Sequence, residues 1–195
     1  MILGFHLTWT TYGHWFPNDP RGSWSDEVWQ PQLAKLRKLD DERKVTRPRP
    51  VPSNDLKRFL DSARSALMWN AVQLTRSELA VVAGAFAEAA SAVKLRVFAC
   101  AIMPTHAHIA VGRNEDSYER IVNRLKGRSA QRIREFRAYP AADRRSRIPI
   151  WTQGYWVRYI DHPEQMQCVV NYVKNNPIRE GLPSQDWGFV QSDFL

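Results

Sequence analysis

Residues 97–112 read VFACAIMPTHAHIAVG, an apolar run that carries two histidines, His106 and His108. Such a run predicts two adjacent strands, at about 95–103 and 107–112, joined through Met103-Pro104-Thr105. Because alternate residues of a strand point to one face, the two imidazoles are expected to project together from a stiff apolar scaffold. Two neutral imidazoles in this position form half of a divalent-metal site, and a half-buried structural pair is the alternative.

Segments on both sides of this pair of strands predict the fold class. They are, in chain order, a strand at 2–12, a helix from the capping box Thr75-x-x-Glu78 to about Val93, a basic helix at 117–137, a strand at 155–160 and a final helix. The final helix is expected to be capped by Asp161 and to end at Asn176, because proline at 177 cannot continue it. The order β-α-β-β-α-β-α predicts an α+β fold, a ferredoxin-like antiparallel sheet with helices on one face.

The composition excludes several classes of protein. The chain has 195 residues, enough for one domain with a sizeable insertion, and no apolar run approaches the roughly 18 residues of a membrane span. We therefore expect a soluble, cytoplasmic protein with no membrane partner. Two cysteines, Cys100 and Cys168, are too few for a disulfide framework and are expected to be buried free thiols.

The net charge of +8 is concentrated between Arg120 and Arg147, where ten Lys or Arg residues stand against two acids. Arginines recur there at four-residue spacing, at 120, 124, 128 and 132. Like charges at this spacing destabilise an isolated helix, so the stripe suits a polyanion better than water. A merely solvated basic face is the alternative. Eight Trp, six Tyr and eight Phe offer stacking surfaces for unpaired bases.

A second informative segment, residues 169–182, reads VVNYVKNNPIREGL. On the final helix Cys168, Tyr172 and Asn176 fall at i, i+4 and i+8 and share a face. Tyr172 has an ordinary explanation as a phenol at the edge of the core. A phenol near a cation has another use, since it can attack a phosphodiester that a metal polarises.

Together the two segments resemble the single-tyrosine HUH transposases, specifically those associated with repetitive extragenic palindromes (REP). That family carries its histidine pair on a strand like MPNHVHLLV and its tyrosine on a helix end like YIxxNPxRAGL. This chain differs by Thr105 for Asn, Ala107 as the middle residue and Glu180 for Ala. The resemblance extends to residues 5–11, 125–129 and 151–156. We expect a single HUH domain over 1–195, with 17–70 a less typical insertion and 183–195 a C-terminal tail.

The resemblance implies a metal-dependent DNA strand transferase acting on single-stranded DNA at hairpin-flanked sites. Tyr172 would be the nucleophile of a 5′-phosphotyrosine intermediate, and His106, His108 and Asn176 would hold Mg²⁺ or Mn²⁺. The expected partner is single-stranded or hairpin DNA, bound by a monomer or homodimer. The DNA contacts that we expect are Arg120, Arg124, Lys126, Arg128, Arg132 and Arg158.

Two other functions fit parts of this pattern. A domesticated regulator would keep the fold and bind hairpin DNA without cutting it, but the joint presence of His106, His108, Tyr172 and Asn176 argues against lost catalysis. A small metal hydrolase could use the histidine pair to activate water. That alternative is disfavoured because no Asp or Glu lies in or beside the histidine strand to act as general base.

Overall fold

The structure is a computed structural model that describes residues 1–14, 16, 53–140 and 143–191. The chain forms two compact units, one of Met1–Thr11 with Gln73–Leu195 and one of Tyr12–Val72. The insertion expected at 17–70 falls in the second unit, and its residues 17–52 lie outside the described residues. The expected tail at 183–195 has neither helix nor strand over 183–191, and its last four residues also lie outside.

The described elements follow the predicted order, with one further helix near the start. They are β1 (Gly4–Thr10), α1 (Ser53–Ser65), α2 (Arg76–Ala92), β2 (Val97–Ile102), β3 (His106–Gly112), α3 (Tyr118–Arg137), a short 3₁₀ helix (Arg144–Arg147), β4 (Trp156–Ile160) and α4 (Pro163–Arg179). The strands form an antiparallel sheet of order β2-β3-β1-β4, which is ferredoxin-like. The predicted α+β class is confirmed.

The two sides of the sheet are covered by different helices. Side chains alternate along β1, so Leu7 and Trp9 point to one side and His6 to the other. Trp9 contacts Phe86 of α2 and the ring of Trp151. We call this side the Trp9 face and the side of His6 the histidine face.

The Trp9 face is the side of α2 and α3. The indole Nε1 of Trp151 donates to the Ser129 hydroxyl of α3 at 2.9 Å, which links α3 to the Trp9 contact. The expected placement of helices on one face therefore applies to α2 and α3.

The histidine face is covered by α4. Met166, Val169, Val170 and Val173 of this helix pack on a cluster that includes Ala101 and Ala110, the strand neighbours of His108. Removing this apolar area from water stabilises the fold at roughly 25 cal/mol per Å². The site-bearing helix is thereby fixed by its own buried valines.

The boundaries of α4 differ from those expected. His162, rather than Asp161, is the N-cap residue, and Pro163 occupies the first turn. The helix continues through Pro177 to Arg179 instead of ending at Asn176. Proline removes only the N–H that Val173 would accept three residues before the helix end, so the last turn tolerates it. Gly181, at φ +74°, then turns the chain out of the helix.

The capping box is present as predicted. Thr75 caps α2: its backbone N–H donates to the Glu78 carboxylate at 2.8 Å, and the Glu78 N–H donates to the Thr75 hydroxyl at 3.4 Å. Of the two cysteines, Cys100 is buried in β2 as expected, but Cys168 is exposed. Cys168 lies one turn before Tyr172, on a side of α4 that does not meet the sheet.

In the second unit, α1 packs Ala63 against the ring of Phe16, with Phe59, Leu60 and Leu67 around them. Among the helices that the structure describes, none combines the length and the apolar character needed to cross a membrane.

Candidate active site

Strand pairing brings a third histidine to the expected pair. Thr8 of β1 lies directly opposite His108 of β3, and His6 lies one step along the same face. The Nε2 atom of His6 is 3.2 Å from Nδ1 of His108, and the Thr8 hydroxyl is 2.8 Å from that same Nδ1. The sequence analysis did not assign His6 a role. Its signal was the alternation with Thr8 on a predicted strand.

A threonine hydroxyl orients each histidine of β3. The Thr105 hydroxyl lies 3.1 Å from Nδ1 of His106, as the Thr8 hydroxyl does from Nδ1 of His108. Hydrogen bonds at one ring nitrogen fix the tautomer and the ring orientation of a metal-binding histidine. In both residues this leaves Nε2 as the nitrogen for a ligand.

All three imidazoles are buried, and burial disfavours their charged form. It lowers the pKa of His6 to about 4, with a smaller contribution from the nearby charge of Arg158. Burial holds the pKa of His108 well below its usual value, and the other two imidazoles push in the same direction. The pKa of His106 is also lowered by burial, against the opposing effects of Glu180 and Asn176. Neutral imidazoles present lone pairs, which metal ligation requires.

The helix α4 carries Tyr172, Asn176 and Glu180 at successive four-residue steps, facing the histidines. The Tyr172 ring centre is 5.4 Å from that of His108 and 5.8 Å from that of His6, with the rings edge to face. Tyr172 is 40 % exposed, so its hydroxyl-bearing ring is open to a large substrate. One oxygen of Glu180 lies 3.6 Å from Nε2 of His106.

Asn176 carries a polar atom that the fold leaves unsatisfied. Its side chain is buried at 7 % exposure, and its amide oxygen has no hydrogen-bond partner. A buried polar group without a partner costs about 1–3 kcal/mol, and such groups mark sites where a ligand completes the bonding. Two neutral imidazoles and an amide oxygen fit Mg²⁺ or Mn²⁺. Within the described ranges, no three His, Cys, Asp or Glu side chains are grouped so as to hold a metal, so Asn176 is the expected third donor.

One of the expected DNA contacts lies at this site. Arg158 of β4 is the strand partner of His6, on the histidine face, and its side chain is exposed. Trp156, the partner of Thr8, places its ring 5.4 Å from that of His6. A cation and an indole therefore border the histidines on the β4 side.

The other five expected contacts lie on α3, the helix behind the Trp9 face, and have partners within the protein. Arg128 and Arg132 both pair with Glu88 of α2, at 2.6 and 2.8 Å. Arg120 and Arg124 pair with Asp116, at 3.8 and 3.2 Å. The Lys126 ammonium donates to the carbonyls of Gln153 and Gly154, and burial lowers its pKa to about 8. The structure thus separates these residues from the histidine site.

Comparison with known proteins agrees with this geometry. The model of the IS200-like transposases matches residues 71–176, more than half of the chain. This chain belongs to the IS200-like transposase family. The matched region includes the histidine pair, Tyr172 and Asn176, whereas His6, Thr8 and Glu180 lie outside it.

Solved structures support the fold. A REP-associated tyrosine transposase bound to a REP hairpin has a TM-score of 0.50 at 11 % identity, over 93 % of this chain and 70 % of that one. A transposase structure from Deinococcus radiodurans R1 has a TM-score of 0.40 at 18 % identity, over 90 % and 91 %. None of the curated proteins is similar enough in sequence to match. The expected transposase family and its fold are thereby confirmed.

Proposed function

We propose that this transposase-family chain cuts and rejoins single-stranded DNA beside hairpins, with Tyr172 as the nucleophile. The observation that carries the proposal is the position of this exposed phenol beside His108, next to the unpartnered buried oxygen of Asn176. A phenol exposed in this way can reach a phosphodiester that is much too large for a closed pocket. This combination favours an enzyme over a regulator that only binds DNA.

The chemistry is a transesterification. The Tyr172 oxygen forms a bond to phosphorus while the bond from phosphorus to the 3′-oxygen breaks, and the phenolic proton is replaced by one on the released 3′-hydroxyl. The product is a 5′-phosphotyrosine. Attack by another 3′-hydroxyl reverses the exchange and restores the phenol, so strands are joined without ATP.

The candidate ligands of a divalent cation are Nε2 of His106, Nε2 of His108 and the amide oxygen of Asn176. A bound Mg²⁺ or Mn²⁺ ion polarises a non-bridging phosphate oxygen and offsets the charge that develops on it. The protein contributes orientation: Thr8 and Thr105 fix the two rings, and the valines of α4 fix the helix that carries Tyr172.

The DNA contacts that we propose divide into two groups. Arg158 is near enough to the histidines to bind a phosphate beside the scissile one. The residues Arg120, Arg124, Lys126, Arg128 and Arg132 of α3 would instead follow the backbone of DNA outside the active site, without reading bases. The bound REP hairpin of the structural neighbour supports a hairpin ligand for this chain.

The test is a covalent adduct. Incubating the protein with a REP-like single-stranded hairpin and Mg²⁺ or Mn²⁺ should give a protein–DNA band that resists denaturation. Tyr172→Phe should bind the hairpin with unchanged affinity and form no adduct, because it lacks only the attacking oxygen. Tyr159→Phe, an equally exposed control on β4, should form the adduct normally.

Two results would contradict the proposal. An adduct that maps to Tyr118, Tyr155 or Tyr159 would move the nucleophile away from α4. Tight hairpin binding by the wild-type chain with no adduct in either metal would instead identify a DNA-binding regulator.

A further inference from the structure

We infer that Glu180 supplies a further oxygen ligand to the divalent cation proposed for His106, His108 and Asn176. The inference rests on the proposed function, because it concerns the same cation. It goes beyond it by adding an anionic donor from a residue outside the region that the family model matches.

The position of the carboxylate is the first observation. The Oε1 atom of Glu180 lies 3.6 Å from Nε2 of His106, the nitrogen that the Thr105 hydroxyl leaves for a ligand. Two adjacent ligands of one Mg²⁺ ion, each bound at about 2.1 Å, lie roughly 3 Å apart. A side-chain adjustment of a few tenths of an ångström, well within the freedom of a glutamate, would bring both atoms to one ion.

The backbone of Glu180 is held in place, which is the second observation. Its N–H donates to the carbonyls of Asn176 and Pro177, at 3.2 and 3.1 Å. The next turn is closed by Gly181 and by the Leu182 N–H, which donates to the Pro177 carbonyl at 2.9 Å. Leu182 also packs on the apolar cluster under α4. The carboxylate therefore projects from a fixed helix end and not from a loose loop.

The arrangement of donors along α4 is the third observation. Asn176 and Glu180 are one turn apart, so their oxygens lie on one side of the helix, and each is close to His106. Within the described part of the chain, the one ion-pair contact given for Glu180 is with that imidazole. Its side chain is half exposed at 48 %, which leaves it free to turn toward a cation.

A carboxylate would change what the site binds. Two imidazoles and one amide oxygen carry no formal charge, so they attract a divalent cation weakly. An anionic oxygen is the ligand that Mg²⁺ and Mn²⁺ prefer, and the charge of the ligand set tunes affinity. Glu180 is thus expected to tighten binding of these hard cations before DNA arrives.

The experiment measures Mn²⁺ binding to the full chain without DNA, from the electron paramagnetic resonance signal of free Mn²⁺. Glu180→Ala should weaken binding about tenfold or more, and Glu180→Gln, which keeps an oxygen but loses the charge, should lie in between. Glu164→Gln removes the same charge from an exposed position in the first turn of α4, and should bind as the wild type does. Circular dichroism confirms that each variant is folded.

Including His106→Ala separates this inference from the proposed function. If that variant loses Mn²⁺ binding while both Glu180 variants keep wild-type affinity, the histidine site stands and the role of Glu180 is wrong. If the Glu180 variants bind more tightly, the carboxylate competes for His106 and the inference is overturned. If His106→Ala binds Mn²⁺ normally, the metal site itself fails.

Discussion

The two faces of the sheet treat their polar groups in opposite ways. Behind the Trp9 face, arginines of α3 are matched by acids: Glu88 pairs with two of them, and Glu78 pairs with Arg137 at 2.6 Å. On the histidine face, buried imidazoles crowd together, and the Asn176 oxygen has no partner. Pairing of that kind stabilises a fold, whereas unsatisfied buried groups lower stability and are kept where they bind something. The difference separates a structural surface from a chemical one.

The largest effect should come from the histidine face. His106→Ala and His108→Ala should each abolish cleavage of a hairpin substrate, because a site missing one ligand cannot position the scissile phosphate. An excess of chelator should do the same to the wild type. His162→Ala, at an exposed histidine before α4, is the control and should cleave normally. Full cleavage in chelator would remove the metal from the mechanism.

The buried His6 should make stability depend on pH. Its pKa is about 4 in the folded chain and 6.5 when unfolded, so between these values the unfolded chain binds a proton that the native chain refuses. The free energy of unfolding should therefore fall as pH drops from 6.5 to 4, by about 3 kcal/mol from this residue. Urea unfolding of the metal-free protein at pH 7.5 and pH 4.5 measures the change.

Two variants sharpen this measurement. His6→Gln should lose a large part of the pH dependence and keep the part due to His108, whose pKa is lowered as well. His162→Gln, on the surface, should keep all of it. Equal slopes in His6→Gln and the wild type would mean that His6 is not held neutral by burial.

Local patterns in the sequence predicted much of the histidine face. The alternation of His106 and His108 on an apolar strand and the four-residue step from Tyr172 to Asn176 are short-range features, and the structure brings these residues together. The capping box of α2 is equally local and was confirmed. What a sequence cannot give is register: the pairing of Thr8 with His108, which places His6 in the site, depends on strands about one hundred residues apart.

The Trp9 face shows the same limit more strongly. The arginine spacing of α3 was visible, but its pairing with Glu88 depends on how α2 packs beside it, which periodicity does not reveal. Pro177 was expected to end α4, and the helix instead absorbs it in its last turn. Tertiary packing overrode local preference in both cases. The role of the α3 arginines in DNA binding stays a prediction.

A moderate effect is expected on DNA binding. Neutralising Arg124 and Arg128 together should weaken binding to cognate and scrambled hairpins alike, because phosphate contacts carry no sequence information. The log–log salt slope should become shallower by one to two contacts' worth, at about 0.7 per contact on single strands. Filter binding at several salt concentrations measures both quantities. Loss of cognate binding alone, with the slope unchanged, would make this helix a base reader.

The smallest effect should come from removing the acid that engages the arginines. Glu88→Gln frees Arg128 and Arg132, which it now binds at 2.6 and 2.8 Å, so single-stranded DNA should bind somewhat more tightly and with a steeper salt slope. Glu115→Gln removes the same charge at an exposed position away from this pair and controls for net charge. The rate of adduct formation on saturating DNA should not change in either variant, because Tyr172 lies on the other face. If the two variants bind DNA equally, the arginines at 128 and 132 serve the packing of α2 on α3, and the DNA path must be sought beside Arg158.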